Sequence, residues 1–273
     1  MLLCMLSFIK SFLNNIFAPR TLHVAFDSGA KNKPTIILLH GIAATSVTWN
    51  LSIKELDANK NRIIALDLLG FGKSPKPKKC EYLVEDHVKY VRRTLKKLSV
   101  KRPYTIVGHS MGSIIAARYC RIYSRDVKAS YLLSLPLYLT NNQSRKSFSD
   151  RQTDVFINVY KFLLNNKDFT IKHSQRLRKF LRVNDGIDVT EETWNGFRLS
   201  LKNTIINQDT YSDIKNSKIP IDIIYGDLDE FLVQKNVDQL AIFDHVTITK
   251  LHLVNHSIGT KFSKIVAQKI NQS

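Results

Sequence analysis

The sequence predicts an α/β protein with a mostly parallel, doubly wound sheet. Short, continuously apolar runs recur along the chain, as expected for strands covered on both faces, and T-I-I-L-L at Thr35–Leu39 is the clearest. The runs alternate with amphipathic helical segments, which is typical of parallel sheets. Polar residues of catalytic type follow directly after several runs, where open parallel sheets place their sites.

The elements follow in chain order. Leu22 to Phe26 alternates in polarity and, with the turn-rich stretch through Gly29 and Pro34, predicts an edge hairpin. The remaining predicted strands are 35–39, 62–66, the run around Val107, 129–135, 221–225 and 246–254. The predicted helices are 49–56, 84–98, 111–123, 232–243 and 261–270.

The 273 residues suffice for one large α/β domain with an insertion. Lys and Arg number 41 against 23 Asp and Glu, which gives a formal net charge of +18. The densest basic cluster, Arg176, Arg178, Lys179 and Arg182, is interleaved with apolar residues and is typical of a solvated helix face. No nucleic-acid-binding motif accompanies the charge, so a nucleic-acid partner is not expected.

The three cysteines, Cys4, Cys80 and Cys120, are widely spaced and suggest neither a disulfide framework nor a metal site. A reducing, cytoplasmic location is therefore predicted. Residues 1–18 are apolar but too short and too interrupted to span a bilayer. Their pattern predicts an amphipathic helix that packs on the protein or, as the less favoured alternative, makes peripheral contact with a membrane.

The domain organisation follows from a change of composition after the strand at 129–135. Residues 138–220 are polar, basic and helical in pattern, without a convincing buried strand. Such a connection is far longer than usual, so it should be structured and cover the site as a cap or lid. We therefore predict an N-terminal helix over 1–18, a core over 19–137 and 221–273, and a helical cap over 138–220.

The stretch Tyr104–Gly112 reads Y-T-I-V-G-H-S-M-G and predicts a buried strand that turns sharply into a helix at Ser110. A nucleophile on such a turn must project clear of the sheet, so its neighbours Gly108 and Gly112 lack a Cβ. The helix start also directs free N–H groups toward the point where negative charge develops on an attacked carbonyl. Ser110 is therefore the candidate nucleophile.

Further polar residues follow directly after other predicted strands. They are His40 and Gly41 after the first buried strand, Asp227 and Asp229 late in the chain, and His256 after the last strand. Because the carboxyl ends of parallel strands meet at one edge of a sheet, these groups should converge with the elbow on one rim.

With these motifs, the sequence resembles the α/β-hydrolase family from about residue 20 to the end of the chain. The matching motifs are H-G, D-L-L-G-F-G-K-S, G-H-S-M-G, G-D-L-D-E-F-L-V and the late N-H-S. Nucleophile, acid and histidine also occur in the family's chain order. The resemblance implies a serine esterase or lipase-like member with a cap inserted after the sixth family strand.

The resemblance assigns Ser110 as nucleophile and His256 as general base. It assigns Asp229 as the carboxylate that orients the imidazole, since the family places its acid three residues after the glycine that ends the strand, here Gly226. Asp227 is the alternative acid. Some relatives carry the acid after the preceding strand, but that position here reads S-L-P-L-Y-L and offers no carboxylate.

Two other histidines compete with His256 for the role of base. His252 lies inside the last predicted strand and His245 lies before it, whereas His256 follows the strand end, where the family's histidine sits. The neighbouring Asn255 departs from the glycine of many relatives. His256 is therefore the predicted base.

The resemblance also implies an oxyanion hole made by the backbone N–H groups of Ile42 and Met111. His40, with Gly41, would fix the oxyanion loop. His109, next to the nucleophile, would pack in the elbow or line the pocket.

A serine at the elbow disfavours epoxide opening and halide displacement, for which relatives use Asp. It implies an acyl-enzyme, and we predict a hydrolase of small-molecule carboxylic esters with small or medium apolar acyl groups, without a metal or organic cofactor. Two alternatives are open. One is a carbon-carbon bond hydrolase of ring-cleavage products, with Arg145 or Arg151 as a cationic group, and the other is a non-catalytic hydrolase-like binding protein. The sequence does not predict the oligomeric state.

Overall fold

The computed structural model describes residues 21–139, 147–180 and 189–272, with side chains in the second range described as far as residue 174. Seven strands form one sheet in the order β1-β3-β2-β4-β5-β6-β7, in which β1 is antiparallel to β3 and all other pairs are parallel. This confirms the predicted fold class. The strands are β1 Val24–Asp27, β2 Thr35–Leu39, β3 Arg62–Leu66, β4 Tyr104–His109, β5 Val127–Leu133, β6 Ile221–Gly226 and β7 Val246–Leu251.

Helices connect most of the strands and close the chain. The α-helices of the described ranges are α1 Asn50–Glu55, α2 Val84–Lys97, α3 Met111–Ile122, α4 Phe148–Asn165, α5 Lys167–Phe180, α6 Trp194–Ser200, α7 Thr210–Lys215, α8 Gln234–Asp238 and α9 Thr260–Gln272. Short 3-10 turns occupy Ser46–Trp49, Ser124–Asp126 and Gln239–Ile242, and a π-helical turn at Leu201–Ile206 continues α6. Within the described ranges, no helix has the length and apolarity needed to cross a bilayer.

Alternate side chains of the central strands enter two separate hydrophobic clusters, one on each face of the sheet. In β2, Ile37 and Leu39 belong to the cluster that includes residues of α2, α3 and α7, whereas Ile36 and Leu38 belong to the cluster covered by α1 and α9. Both faces are therefore buried. This explains why these strands have continuous apolar runs rather than alternating ones.

The predicted edge hairpin is wrong in its pairing. β1 is an edge strand, but its partner is β3, with Phe26 opposite Ala65, and not the next strand in the chain. β2 has β3 on one side and β4 on the other, so both of its edges are occupied. The Arg62 guanidinium, almost fully buried, donates two hydrogen bonds of 2.9 and 2.7 Å to the Asp27 carboxylate and fixes β1 beside β3.

The segment between β5 and β6 contains helices and, in its described part, no strand, as its pattern predicts. Three of the hydrogen bonds between this segment and the core lie close to the loop that follows β6. Tyr138 Oη donates to the Phe231 carbonyl at 2.7 Å, and Asn236 Nδ2 donates to the Leu137 carbonyl at 3.0 Å and to Thr153 Oγ1 at 3.3 Å. These bonds bring the start of the segment and α4 beside the loop that follows β6.

Several predictions fall on parts of the chain that the structure does not describe. The amphipathic helix over 1–18, Cys4 and Arg145 lie outside the described residues. So do the side chains of the basic cluster Arg176, Arg178, Lys179 and Arg182. The boundaries of the cap over 138–220 stay a prediction.

A buried carboxylate joins α3, the helix that begins at the elbow, to α7. Asp213 is fully buried, and its two oxygens accept hydrogen bonds from Arg118 Nε at 2.7 Å and Arg121 Nη1 at 2.9 Å. Arg118 also pairs with Glu85 of α2. Removing one partner from a buried ion pair leaves the remaining charge without compensation, which is more costly than losing a surface pair.

We expect Asp213→Ala to lower the free energy of unfolding by about 3 kcal/mol, because the Arg118 guanidinium loses its buried partner. Urea denaturation followed by circular dichroism measures this change. Lys60→Ala is the matched control, since it removes an exposed pair with Asp57 at 3.7 Å and should cost less than about 1 kcal/mol. Equal, small losses in both variants would contradict a stabilising role for the Asp213 network.

Candidate active site

The turn between β4 and α3 holds Ser110 in a strained conformation. Ser110 has φ 53° and ψ −120°, a backbone region that residues with a side chain rarely adopt. Its N–H donates to the Leu133 carbonyl at 2.9 Å, and the Ser113 hydroxyl donates to the same carbonyl at 2.9 Å. The end of the neighbouring strand β5 therefore holds the turn in place.

The two glycines beside the turn are required by close backbone approaches. A Cβ on Gly108 would lie 2.6 Å from the Ser113 nitrogen and would collide with the Gly112 carbonyl. A Cβ on Gly112 would lie 2.7 Å from the His40 carbonyl oxygen and would collide with the Leu39 carbonyl. A side chain at either position would push the serine turn away from the adjoining backbone.

The structure brings His256 and Asp229 together. His256 Nδ1 and Asp229 Oδ1 are 2.8 Å apart, and both side chains are buried. The Phe231 N–H donates to the same carboxylate oxygen at 3.0 Å. The carboxylate can therefore fix the imidazole orientation and keep the proton on Nδ1, which leaves Nε2 as the basic nitrogen.

The pKa values of this pair follow from burial opposed by mutual attraction. Burial lowers the pKa of His256, but the Asp229 charge and hydrogen bond outweigh it, so the net pKa lies above its ordinary value. Burial raises the pKa of Asp229, but attraction to His256 and its hydrogen bonds bring it below the ordinary value. The pair thus favours a charged carboxylate beside an imidazole with enhanced basicity.

Asp227, the alternative acid, forms its side-chain contacts with the loop after β7. Its carboxylate lies 2.7 Å from His252 Nδ1 and accepts a 2.7 Å hydrogen bond from the Leu253 N–H. His252 is largely exposed, and the other rival base, His245, bonds through Nε2 to the Ile214 carbonyl at 2.8 Å. Of the two carboxylates, the geometry pairs Asp229 with His256.

His109 links the elbow to the His256 loop. Its Nε2 donates to the His256 carbonyl at 2.9 Å, and the two imidazole rings are 4.9 Å apart. Burial and the nearby His256 lower the pKa of His109 to about 3, so this ring is neutral. Ser110 therefore lies one residue from a direct contact with His256, although no hydrogen bond joins its hydroxyl to the imidazole. Such bonds are often long in unliganded enzymes.

His40 fixes the loop that follows β2. Its Nε2 accepts a 2.8 Å hydrogen bond from the Leu68 N–H, so its proton is on Nδ1, which donates to the Gly41 carbonyl at 2.7 Å. Burial lowers the pKa of His40 to about 4 and keeps the ring neutral. A Cβ on Gly41 would lie 3.2 Å from Ser110 Cβ, which shows how closely this loop approaches the elbow.

The two predicted N–H donors directly follow Gly41 and Ser110 in the chain. Ile42 follows Gly41 in the loop after β2. Met111 is the first residue of α3, so its N–H has no acceptor within the helix. Gly41 in turn approaches Ser110, and the role of Ile42 and Met111 as oxyanion-hole donors stays a prediction.

Sequence reasoning missed three neighbours of the His256–Asp229 pair. Ser134 is fully buried after β5 and is among the groups that lower the pKa of Asp229, although its hydroxyl makes no hydrogen bond of normal geometry. The Phe231 ring lies 4.8 Å from the His256 ring, edge to face, and Glu230 accepts a long 3.4 Å bond from the His256 N–H. Ser134 is the first residue of the S-L-P-L-Y-L stretch, which contains no carboxylate and so carries no signal of a neighbour to the Asp229 side chain.

The structure also bears on metal binding. Over the described ranges, no group of three or more His, Cys, Asp or Glu side chains is arranged to hold a metal ion.

Comparisons with known proteins give the family. A family model described as the alpha/beta hydrolase fold matches residues 34–243. A protein of Arabidopsis thaliana named probable lysophospholipase BODYGUARD 4 is 35% identical over 104 residues, which make up 38% of this chain and 25% of that protein. The match thus spans only a quarter of the length of this relative.

Solved structures show the same fold at low sequence identity. A carboxylesterase from Nitrososphaera gargenis has a TM-score of 0.69 at 17% identity, with 90% of this chain and 93% of that chain covered. A haloalkane dehalogenase variant from Bradyrhizobium elkanii has a TM-score of 0.67 at 14% identity, with 92% and 95% covered. These likenesses concern the fold alone, since the fold hosts more than one chemistry. The match over residues 34–243 shows that this chain belongs to the α/β-hydrolase fold family.

Proposed function

We propose that this protein is a serine hydrolase that cleaves carboxylic esters with small or medium apolar acyl groups through an acyl-enzyme on Ser110. One observation carries the proposal: a buried His256–Asp229 pair at 2.8 Å lies beside a serine on a strained strand-to-helix turn. Serine, imidazole and carboxylate are the groups that acyl transfer needs, and each can be given a step.

In the acylation step, Ser110 Oγ attacks the ester carbonyl while His256 Nε2 takes the hydroxyl proton. Asp229 stabilises the imidazolium that forms, because it stays ionised and holds Nδ1–H. The carbonyl oxygen becomes negatively charged and accepts hydrogen bonds from the Ile42 and Met111 N–H groups. The tetrahedral intermediate then collapses, and the leaving alcohol takes the proton from His256.

The deacylation step reverses these roles with water. His256 Nε2 removes a proton from a water molecule, which attacks the acyl carbonyl and forms a second tetrahedral intermediate. Its collapse breaks the bond to Ser110 Oγ, which recovers its proton from His256. The carboxylic acid leaves and the free enzyme returns, so the cycle consumes one water and needs no cofactor.

Two further observations support an ester hydrolase. The family membership and the relative named probable lysophospholipase agree with a hydrolase. Serine rather than aspartate at the elbow favours acyl transfer over halide displacement. We also propose that residues 138–220 form the cap that selects the acyl group, since Tyr138 bonds to the Phe231 carbonyl beside His256.

The carbon-carbon bond hydrolase gains no support from Arg151. This side chain is exposed on the first turn of α4, and none of the described hydrogen bonds or ion pairs joins it to the serine turn. The reactivity of Ser110 distinguishes the proposed enzyme from a non-catalytic hydrolase-like binding protein.

We expect Ser110→Ala to lower kcat on p-nitrophenyl acyl esters by roughly four orders of magnitude or more, because the acyl-enzyme cannot form. A fluorophosphonate probe should label the wild type and not this variant, since labelling requires an activated serine. Ser124→Ala, at a serine outside the site, is the control and should retain turnover and labelling. A wild type that resists labelling would favour the non-catalytic alternative.

The pH dependence tests the His256–Asp229 pair. His256 must be neutral to accept the serine proton, so kcat/KM should rise as pH rises through the His256 pKa. Because that pKa lies above its ordinary value of 6.5, the half-maximal rate should lie above pH 6.5. In Asp229→Asn, burial lowers the pKa of His256 without an opposing carboxylate, so the acid limb of the profile should move to lower pH. The rate of this variant should also fall roughly 10⁴-fold.

Asp227→Asn is the matched control for the pH profile, because Asp227 contacts His252 and Leu253 rather than His256. Its acid limb should stay where the wild type has it. If Asp227→Asn moved the limb and Asp229→Asn did not, Asp227 would be the orienting acid. The measurement is kcat/KM for one p-nitrophenyl ester between about pH 5 and 9.

A further inference from the structure

An apolar stripe is exposed on the helices of the inserted segment. On α4, Phe148, Val155, Val159 and Phe162 are 77, 59, 49 and 49% exposed. Their spacings of seven, four and three residues place all four on one side of the helix, along about 21 Å. Phe169 of α5, 44% exposed, extends the stripe because its ring lies 5.4 Å from that of Phe162.

α4 packs on its own domain through a different side from the one that carries the stripe. That side carries Thr153, which accepts a bond from Asn236, and Tyr160, whose hydroxyl is 2.8 Å from that of Tyr138. The Phe156 ring also lies 5.5 Å from the Tyr138 ring. α4 is therefore apolar on two sides, whereas a helix on a protein surface usually turns a polar face to water. Contiguous exposed apolar surface of this kind marks an interaction site.

Three candidate partners for the stripe are an anionic lipid surface, residues 1–18 of this chain, and a second copy. They differ in the charge that they bring to this basic protein. The protein carries a net charge of +18, so a second copy is repelled. Residues 1–18 contain Lys10 and no acidic residue, so they bring no complementary charge. An anionic bilayer offers both an apolar interior for the stripe and a negative surface that attracts the protein.

Within residues 147–174, the two helices that carry the stripe contain basic and acidic residues in nearly equal number. Arg151 and Lys161 of α4 and Lys172 of α5 are exposed. The acidic residues of the two helices within 147–174 are Asp150, Asp154 and Asp168, so the local charge is nearly balanced. The attraction therefore belongs chiefly to the whole chain, and the stripe supplies the apolar contact.

We propose that the exposed face of α4, continued by Phe169 of α5, docks this protein on anionic lipid bilayers. α4 would lie in the plane of the interface, with Phe148, Val155, Val159 and Phe162 inserted among the lipid chains. On its other side, the helix contacts Tyr138, which bonds to the Phe231 carbonyl next to His256. Docking would thus hold the rim of the site close to the bilayer, where amphiphilic esters reside.

Cosedimentation with large unilamellar vesicles tests the docking. Vesicles of phosphatidylcholine alone are compared with vesicles containing about 30 mol% phosphatidylserine. We expect binding to the anionic vesicles at least about tenfold tighter than to the neutral ones, and weaker as salt is raised. Equal binding to both, or none to either, would overturn the proposal. Ser110→Ala protein should bind like the wild type, so the result does not depend on the proposed chemistry.

The combined variant Val155→Ser, Val159→Ser and Phe162→Ser should reduce binding to anionic vesicles by about tenfold or more, because the apolar contact is lost. The matched control is Val47→Ser, Ile122→Ser and Ile242→Ser, three substitutions of side chains that are 48, 47 and 69% exposed elsewhere. Both proteins should keep the wild-type thermal unfolding midpoint. Undiminished binding of the stripe variant, or an equal loss in the control, would contradict docking through α4.

Two other results would assign the stripe differently. The full-length variant Leu6→Ser, Ile9→Ser and Leu13→Ser tests residues 1–18. If it loses vesicle binding while the stripe variant retains it, the N-terminal segment is the anchor and the proposal is wrong. If light scattering shows a dimer that the stripe variant abolishes, and vesicles are not bound, the stripe is an interface between copies and the proposal is again wrong.

Discussion

The close passage of backbone around Ser110 is the constraint on which the site depends. β4 lies between β2 and β5, and their ends supply the Leu39 and Leu133 carbonyls that surround the turn. No Cβ fits at Gly108 or Gly112 without displacing that backbone. The central position of β4 therefore brings the loops after its neighbours within reach of one serine.

Electrostatics gives different roles to the three buried imidazoles around the serine turn. His40 and His109 have pKa values lowered to about 4 and 3 by burial, so they act as neutral hydrogen-bonding groups. His256 is equally enclosed, but Asp229 raises its pKa above the ordinary value. One carboxylate thus separates a candidate base from two structural histidines in the same surroundings.

The inserted segment connects this rim to the protein surface. α4 contacts Tyr138, and Tyr138 contacts the Phe231 carbonyl, while the Phe231 ring lies against His256. The opposite side of α4 exposes an apolar stripe to solvent. A single helix therefore lies between the candidate catalytic base and the surface that we propose for lipid docking, so substrate entry and membrane contact would share one element.

The sequence by itself determined the fold class, the order of the strands in the chain and the elbow, because apolar periodicity and glycine spacing are local properties. The resemblance to the α/β-hydrolase family favoured Asp229 over Asp227, and in the structure Asp229 Oδ1 lies 2.8 Å from His256 Nδ1. The tertiary structure alone decided that β1 pairs with β3, that Ser134 lies near Asp229, and that α4 exposes apolar residues. These features depend on contacts between distant residues and on which helix face is covered, and neither is encoded in local periodicity.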